Sequence, residues 1–269
     1  MGNNPPPSPS IAEHPTGDKT PQAFYDEIWK DWHDMEVYAP APRYIRRMVL
    51  REMARLDFKS VLDVGCGEGT LLQLIARRHP SATLAGCELS ETALLTCRQS
   101  IPNGHFFRLD LERDEVPAGS SYDLLTCVQV LEHVQDDLTA LTKIRQMCGK
   151  YALISVPGGK LDQRGRRNGH YRHYTTADLR AKMERTGFHV QRIFTCGWPM
   201  HSLVYRQLVR HLPQDTVEKV GLGRYSPAKK ALLQAFHFLN FLNLPFAGTE
   251  VIAVATPLDH GTTPRRRAD

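Results

Sequence analysis

Residues 61–70, VLDVGCGEGT, run a strand-like segment into a turn with glycine at Gly65, Gly67 and Gly69. Alternating glycines give the backbone access to left-handed conformations and leave room for a ligand to approach closely. The stretch that follows, EGTLLQLIARRHP, is a helix pattern ended by Pro80. A strand that feeds a helix through such a turn is the opening unit of an α/β sheet. The turn then lies at the carboxyl end of its strand, where open α/β sheets bind ligands. This feature fixes the fold class and leaves the ligand open.

The rest of the chain repeats the alternation. Strand patterns occupy 60–65, 82–88, 105–111, 122–130, 151–157, 188–196 and 249–257, with helix patterns between most of them. Ser90 and Thr175 are placed to cap helices, and Gly187 to stop one. Seven strands joined by helical crossovers imply a Rossmann-like, mostly parallel sheet covered on both faces. Two helices precede it: PQAFYDEIWKDWHDM, with an aromatic stripe, and PRYIRRMVLREMARL, with Pro42 in its first turn. The expected organisation is a disordered leader (1–20), a helical cap (21–57), a core (58–199), an insertion (200–247), the last core strand (248–258) and a basic tail (259–269). The insertion contains KKALLQAFHFLNFLNLPF. It reads as a helix packing on the core, a lid over an apolar pocket, or a membrane-surface element.

Composition excludes some classes. A net charge of +5 does not call for an anionic polymer, so nucleic acid is not an expected partner. No apolar run is long enough to span a bilayer, and MGNNPPPSPS has no signal-peptide pattern. The six cysteines form no CxxC pair and read as reduced, mostly buried thiols of a cytoplasmic protein.

The ligand follows from what flanks the glycines. No lysine follows them, so this is not a phosphate-binding P-loop. The third glycine stands one position before the place where the dinucleotide fingerprint wants it, and Asp63 puts an acid at the strand end. An acid there suits a ligand bearing an ammonium group better than a pyrophosphate. S-adenosylmethionine has an ammonium and no phosphate. Glu88, at the end of the second strand, suits ribose hydroxyls. Asp110, after the third, suits the adenine amine, with Leu109 and Leu111 near the ring.

In this order and spacing VLDVGCGEGTLL, GCELS, FFRLDL, YDLLTCVQVLEHV and ALISVPGG resemble the successive motifs of class I S-adenosylmethionine-dependent methyltransferases. The resemblance implies a seven-stranded sheet with an antiparallel last strand. It also implies that Asp63, Gly65, Cys66 and Gly67 hold the amino-acid part of the cofactor, Glu88 and Leu89 the ribose, Asp110 and Leu111 the adenine, and that Val128 and Gln129 lie against it.

QVLEHV followed by GHYRHYT resembles the ubiquinone-type O-methyltransferases, which implies a small, partly apolar acceptor. The same pairing resembles small-RNA 2′-O-methyltransferases, in which an ExxEH block and a later histidine bind a divalent metal. Here Gln129 replaces the first acid, leaving Glu132, His133 and His170 or His173 as a weaker set. A metal is therefore possible but not favoured. His133 is the candidate general base, with His170 and His173 beside it; the competing reading is packing, with catalysis by proximity. Tyr171 and Tyr174 form a substrate rim or hold their loop in place, and Tyr25 and Trp29 close over the ligand or pack. A non-catalytic cofactor-binding subunit is the other alternative. Oligomeric state is not legible.

Overall fold

The computed structural model describes residues 20–205, 223–244 and 246–258. The leader up to residue 19, the tail and residues 206–222 of the insertion lie outside the described residues. Helices α1 (Pro21–Ile28), α2 (His33–Tyr38) and α3 (Pro40–Met53) come first. The sheet comprises β1 (Ser60–Val64), β2 (Thr83–Glu88), β3 (His105–Arg108), β4 (Tyr122–Val128), β5 (Cys148–Pro157), β6 (Phe188–Cys196) and β7 (Glu250–Pro257). Between the strands lie α4 (Thr70–Arg78), α5 (Glu91–Ser100), α6 (Asp137–Met147), α7 (Gln163–Arg167), α8 (Thr176–Arg185) and α9 (Pro227–Leu239).

The strand order is β3-β2-β1-β4-β5-β7-β6. β7 runs antiparallel to both β5 and β6, and the other pairings are parallel. Apolar side chains fill both faces. Leu141, Ile144, Leu179 and Met183 of α6 and α8 pack on one, and Tyr44, Val49, Leu72 and Leu94 of α3, α4 and α5 on the other. Local signals set the helix starts: Ser90 Oγ accepts from Ala93 N–H and Thr175 Oγ1 from Asp178 N–H.

Three boundaries differ from the sequence reading. The aromatic stripe does not form one helix, because the chain turns at residues 29–32 and sets Trp29 edge-on to Trp32, with ring centroids 5.7 Å apart. β3 stops at Arg108, because the Asp110 carboxylate accepts from Glu112 and Arg113 N–H and closes a turn. β4 ends at Val128 and not at residue 130, and a 3₁₀ turn, Leu131–His133, follows it ahead of α6.

The insertion is an excursion from a hairpin. Cys196 and Glu250 pair directly across β6 and β7, so it departs from and returns to the carboxyl edge of the parallel strands. At its base Gly248 has φ 142°, and a Cβ there would collide with the Cys196 carbonyl. A π-helical turn (Met200–Tyr205) and α9 are its described helical parts, with a 3₁₀ turn at Asn240–Leu242. Arg43 donates to Gln234 Oε1 and Arg47 to the Asn240 carbonyl, seating α9 on α3. No helix among the described residues is long and apolar enough to cross a membrane.

Candidate cofactor and methyl-transfer site

A cavity of about 300 Å³ opens at the carboxyl ends of β1 to β4, at the small end of the range usual for ligand pockets. Gly65, Glu88, Leu89, Asp110, Leu111 and Gln129 line it, each a residue read from sequence as cofactor-binding. The donor chemistry fits S-adenosylmethionine: glycine backbone beside the first strand, and a carboxylate at the end of each of the next two.

Glu88 organises the turn. Its Oε2 accepts from Gly67 N–H at 3.0 Å, and its Oε1 from Leu89 and Ser90 N–H at 2.7 and 3.1 Å. Burial raises its carboxyl above the ordinary value, against the pull of these three donors. Gly67 itself has φ 53°, and a Cβ on it would collide with the Trp29 ring. The turn therefore needs glycine both for its conformation and for the indole laid on it.

The cap is pinned at two points. Asp26 accepts from Ser90 Oγ at 2.6 Å and Thr92 N–H at 3.0 Å, at the start of α5, and His33 Nδ1 meets Glu68 Oε2 at 2.6 Å beside the turn. Phe24, Tyr25, Trp29 and Trp32 thereby wall the cavity. Burial, then the charges of Glu88 and Glu132, raise the Tyr25 phenol above its usual range, so it stays protonated and keeps a hydrogen to donate.

Several expected residues lie elsewhere. Asp63 sits beneath the turn and accepts from Thr126 Oγ1 at 2.6 Å. Burial pushes its carboxyl up from 3.8 to about 7. Cys66 is buried against α5, its Sγ 3.9 Å from Cys97 Sγ, and Val128 packs into the core layer on the α3 side. Gly67 is covered by Trp29, and Tyr174 is fully buried, its hydroxyl 2.8 Å from Asp137 Oδ2. Tyr174 is thus an anchor of its loop and not part of a substrate rim. Among the described residues none from 200–247 lines the cavity, so the described part of the insertion does not roof it.

Asp63 carries a pH prediction. An acid whose folded value is raised stabilises the fold relative to its ionised form only while it keeps its proton. That contribution is complete below about pH 4 and fades as pH climbs to about 7, since the unfolded chain ionises first. Asp63→Asn keeps an acceptor for Thr126 and removes the titration. Its stability relative to wild type should rise by roughly 2 kcal/mol or more between pH 4 and 7.5 in denaturant melts. A flat difference across that window would show that Asp63 titrates normally.

His133, His170 and His173 form a row that runs back from the cavity wall. His133 lines the cavity; His170 meets its ring edge-on at 4.7 Å, and His170 Nδ1 lies 3.0 Å from His173 Nε2. The loop is stitched down by Tyr171 N–H to the Glu132 carbonyl, by Arg172 to the carbonyls of Val134 and Gln135, and by the Arg172–Asp137 ion pair. His170 and His173 are not on the cavity, so they back His133 instead of meeting a ligand there. Among the described residues, those able to share a metal are Glu132, His133 and His170, with ligand atoms within 4.8 Å of one another; His173 stands one hydrogen bond further out.

Sequence reading missed Phe24, Trp32, Val130, Val134, Glu112 and Arg113 on the cavity wall. The first two share the aromatic stripe with Tyr25 and Trp29, which was signal enough. The others follow strand ends whose loop paths sequence does not give.

A profile described as a methyltransferase domain matches residues 32–193. Trans-aconitate 2-methyltransferase of Afipia carboxidovorans is 30% identical over 110 residues, 41% of this chain and 42% of its own length. Ubiquinone biosynthesis O-methyltransferase of Hahella chejuensis is 34% identical over 144 residues, 51% of this chain and 57% of its own. The chain thus spans about half the length of the curated relatives it matches. Phosphoethanolamine N-methyltransferase 2 of Haemonchus contortus, solved with S-adenosyl-L-methionine, superposes with a TM-score of 0.61 at 15% identity, over 91% of this chain and 62% of that one. The [4+2]-cyclase SpnF superposes with a TM-score of 0.54 at 17% identity, over 81% of each chain. At these identities the likeness is one of fold alone, and the cyclase shows that the fold does not by itself fix the reaction. The profile, covering more than half of the chain, does fix the family: this protein belongs to the methyltransferase-domain family and has the class I S-adenosylmethionine-dependent fold.

Proposed function

We propose that the protein transfers a methyl group from S-adenosylmethionine to an oxygen, or a nitrogen, of a small and partly apolar acceptor, with His133 as general base. The observation that carries this reading is the presence of His133 on the same cavity wall as Gly65, Glu88, Asp110 and Gln129. The O-methyltransferase name of the Hahella relative favours oxygen.

The cofactor, when bound, supplies a methyl group already activated on a sulfonium. The residues in position to hold it are Gly65 at its amino-acid part, Glu88 at the ribose, and Asp110 with Leu111 at the adenine. What remains for the protein is alignment, exclusion of water and removal of a proton. The aromatic cap and Val134 keep the cavity apolar, Tyr25 donates a hydrogen bond, and the His133 imidazole takes the acceptor's proton. His170, held by His173, fixes the plane of the His133 ring.

Incubation with methyl-labelled cofactor and a panel of phenols, carboxylic acids and amines tests the reading. Label transfer with stoichiometric S-adenosylhomocysteine is expected for at least one hydroxyl-bearing acceptor. Tight cofactor binding with no turnover on the panel or in native extract would favour a non-catalytic binding subunit instead.

A second reading rests on Glu132. Its Oε2 is buried with no hydrogen-bond partner, and burial, then the Glu250 charge, holds its carboxyl well above the usual range. A divalent ion shared with His133 and His170 would compensate that carboxylate; one carboxylate with two imidazoles suits zinc or manganese. Calorimetric titration with Mn²⁺ or Zn²⁺, wild type against Glu132→Gln, separates the readings. Saturable binding lost in the variant, with chelator-sensitive methylation of oligoribonucleotides, would replace the small-molecule reading by a metal-assisted RNA methyltransferase. An imidazole nitrogen bound to a metal is not also the base.

A further inference from the structure

Gln129 is the one non-glycine residue with positive φ among the described residues, at 57°. Such a conformation is strained for a residue with a side chain and persists where the surroundings over-determine it. The surroundings are explicit. Gln129 N–H donates to the Ser155 carbonyl at 2.8 Å, and its Nε2 donates to Ser155 Oγ at 3.4 Å and Glu250 Oε2 at 3.3 Å. Glu250 opens β7 and is 5% exposed. Its other oxygen lies 2.9 Å from Nε2 of His201, which is buried in the first turn of the insertion and stacks on Tyr44 at 5.3 Å. Asn243 Oδ1 accepts from Met200 and His201 N–H, Asn243 Nδ2 donates to Asn240 Oδ1, and Asn240 Nδ2 donates to the Pro40 carbonyl. A continuous polar chain therefore joins the insertion and α3 to a residue on the cavity wall.

The chemistry of this chain is directional. A carboxylate only accepts, so Glu250 fixes which end of the Gln129 carboxamide faces it: Nε2, the donor. That leaves Oε1 as the amide atom turned away from Glu250, on a residue that lines the cavity. We propose that Glu250 is a positioning residue for the cofactor site: it orients the Gln129 amide so that Oε1 accepts from a cationic donor of the bound ligand, the ammonium of the amino-acid part, and through His201 it ties that orientation to the seating of the insertion. The inference rests on the cofactor reading above.

Exchange of the two side chains tests it, with S-adenosylhomocysteine affinity read by calorimetry and folding by thermal midpoint. In Glu250→Gln the new amide accepts from His201 and turns its NH₂ toward Gln129. Gln129 must then flip and offer NH₂ to the cavity, so affinity should fall about tenfold. In the double variant Gln129→Glu/Glu250→Gln, the carboxylate now at position 129 accepts from the amide now at position 250 and keeps an acceptor oxygen on the cavity. Affinity should return to within about threefold of wild type, which loss of packing alone would not produce. Gln129→Met, which removes the acceptor and leaves Glu250 in place, should lose about tenfold even if Glu250→Gln does not fold. Unchanged affinity in Gln129→Met, or a double variant no better than the folded single, overturns the proposal. Wild-type protein that binds no S-adenosylhomocysteine overturns the cofactor reading and this inference with it.

Discussion

Replacing His133 with alanine should lower the rate of methyl transfer by about 100-fold at saturating acceptor and leave cofactor affinity within about twofold of wild type. The split follows from geometry. His133 lines the cavity at the end of a 3₁₀ turn after β4, while the carboxylates assigned to the ribose and adenine come from the ends of β2 and β3. The side chain can be removed without disturbing Glu88 or Asp110. The turn itself is held by backbone, with His133 N–H on the Val130 carbonyl and Tyr171 N–H on the Glu132 carbonyl. His170→Ala should cost less, roughly 3–10-fold, since it removes a neighbour of the proposed base and leaves that base in place. Rates of S-adenosylhomocysteine formation, paired with calorimetric affinities, measure both. An alanine variant with wild-type turnover would reduce His133 to packing and leave alignment alone to account for the rate.

Glu88→Ala should have the larger effect on binding, weakening cofactor affinity by about 100-fold, or roughly 2.7 kcal/mol. Two losses combine. A ligand hydroxyl loses its acceptor, and the N–H groups of Gly67, Leu89 and Ser90 lose a shared one. Buried donors left without a partner destabilise the turn even before a ligand arrives, so the thermal midpoint should drop as well. Glu88→Gln can accept on one oxygen only and should fall between alanine and wild type. Affinity unchanged in Glu88→Ala would remove this carboxylate from the cofactor site and with it the alignment of β2 to the ribose.

What was readable in the sequence is what local physics determines. Period and capping gave the seven strands, the cap at Ser90 and the ligand edge of the sheet, because each signal lies within a few residues of the element it sets. The cavity residues Glu88 and Asp110 were readable for the same reason: the end of a strand in a parallel sheet points to one edge; Gln129 followed from the family resemblance. What was not readable depends on distant partners. Tyr174 looks like a rim aromatic until Asp137 is found beside its hydroxyl. The His201–Glu250–Gln129 chain joins residues from β4, the insertion and β7, and no spacing rule brings those together. The helix of the aromatic stripe stops at Ile28, and Trp29 lies over Gly67, a partner far along the chain that no local pattern supplies.

The indole on the glycine turn has a practical consequence. The chain has three tryptophans, two of which, Trp29 and Trp32, wall the cavity, while Trp198 is 46% exposed at the base of the insertion. A ligand that enters the cavity should change the surroundings of the first two and leave the third in water. The protein thus carries a built-in optical probe: with Trp198 replaced by phenylalanine, the remaining emission reports the cap directly. Stopped-flow traces would then time ligand entry without a label.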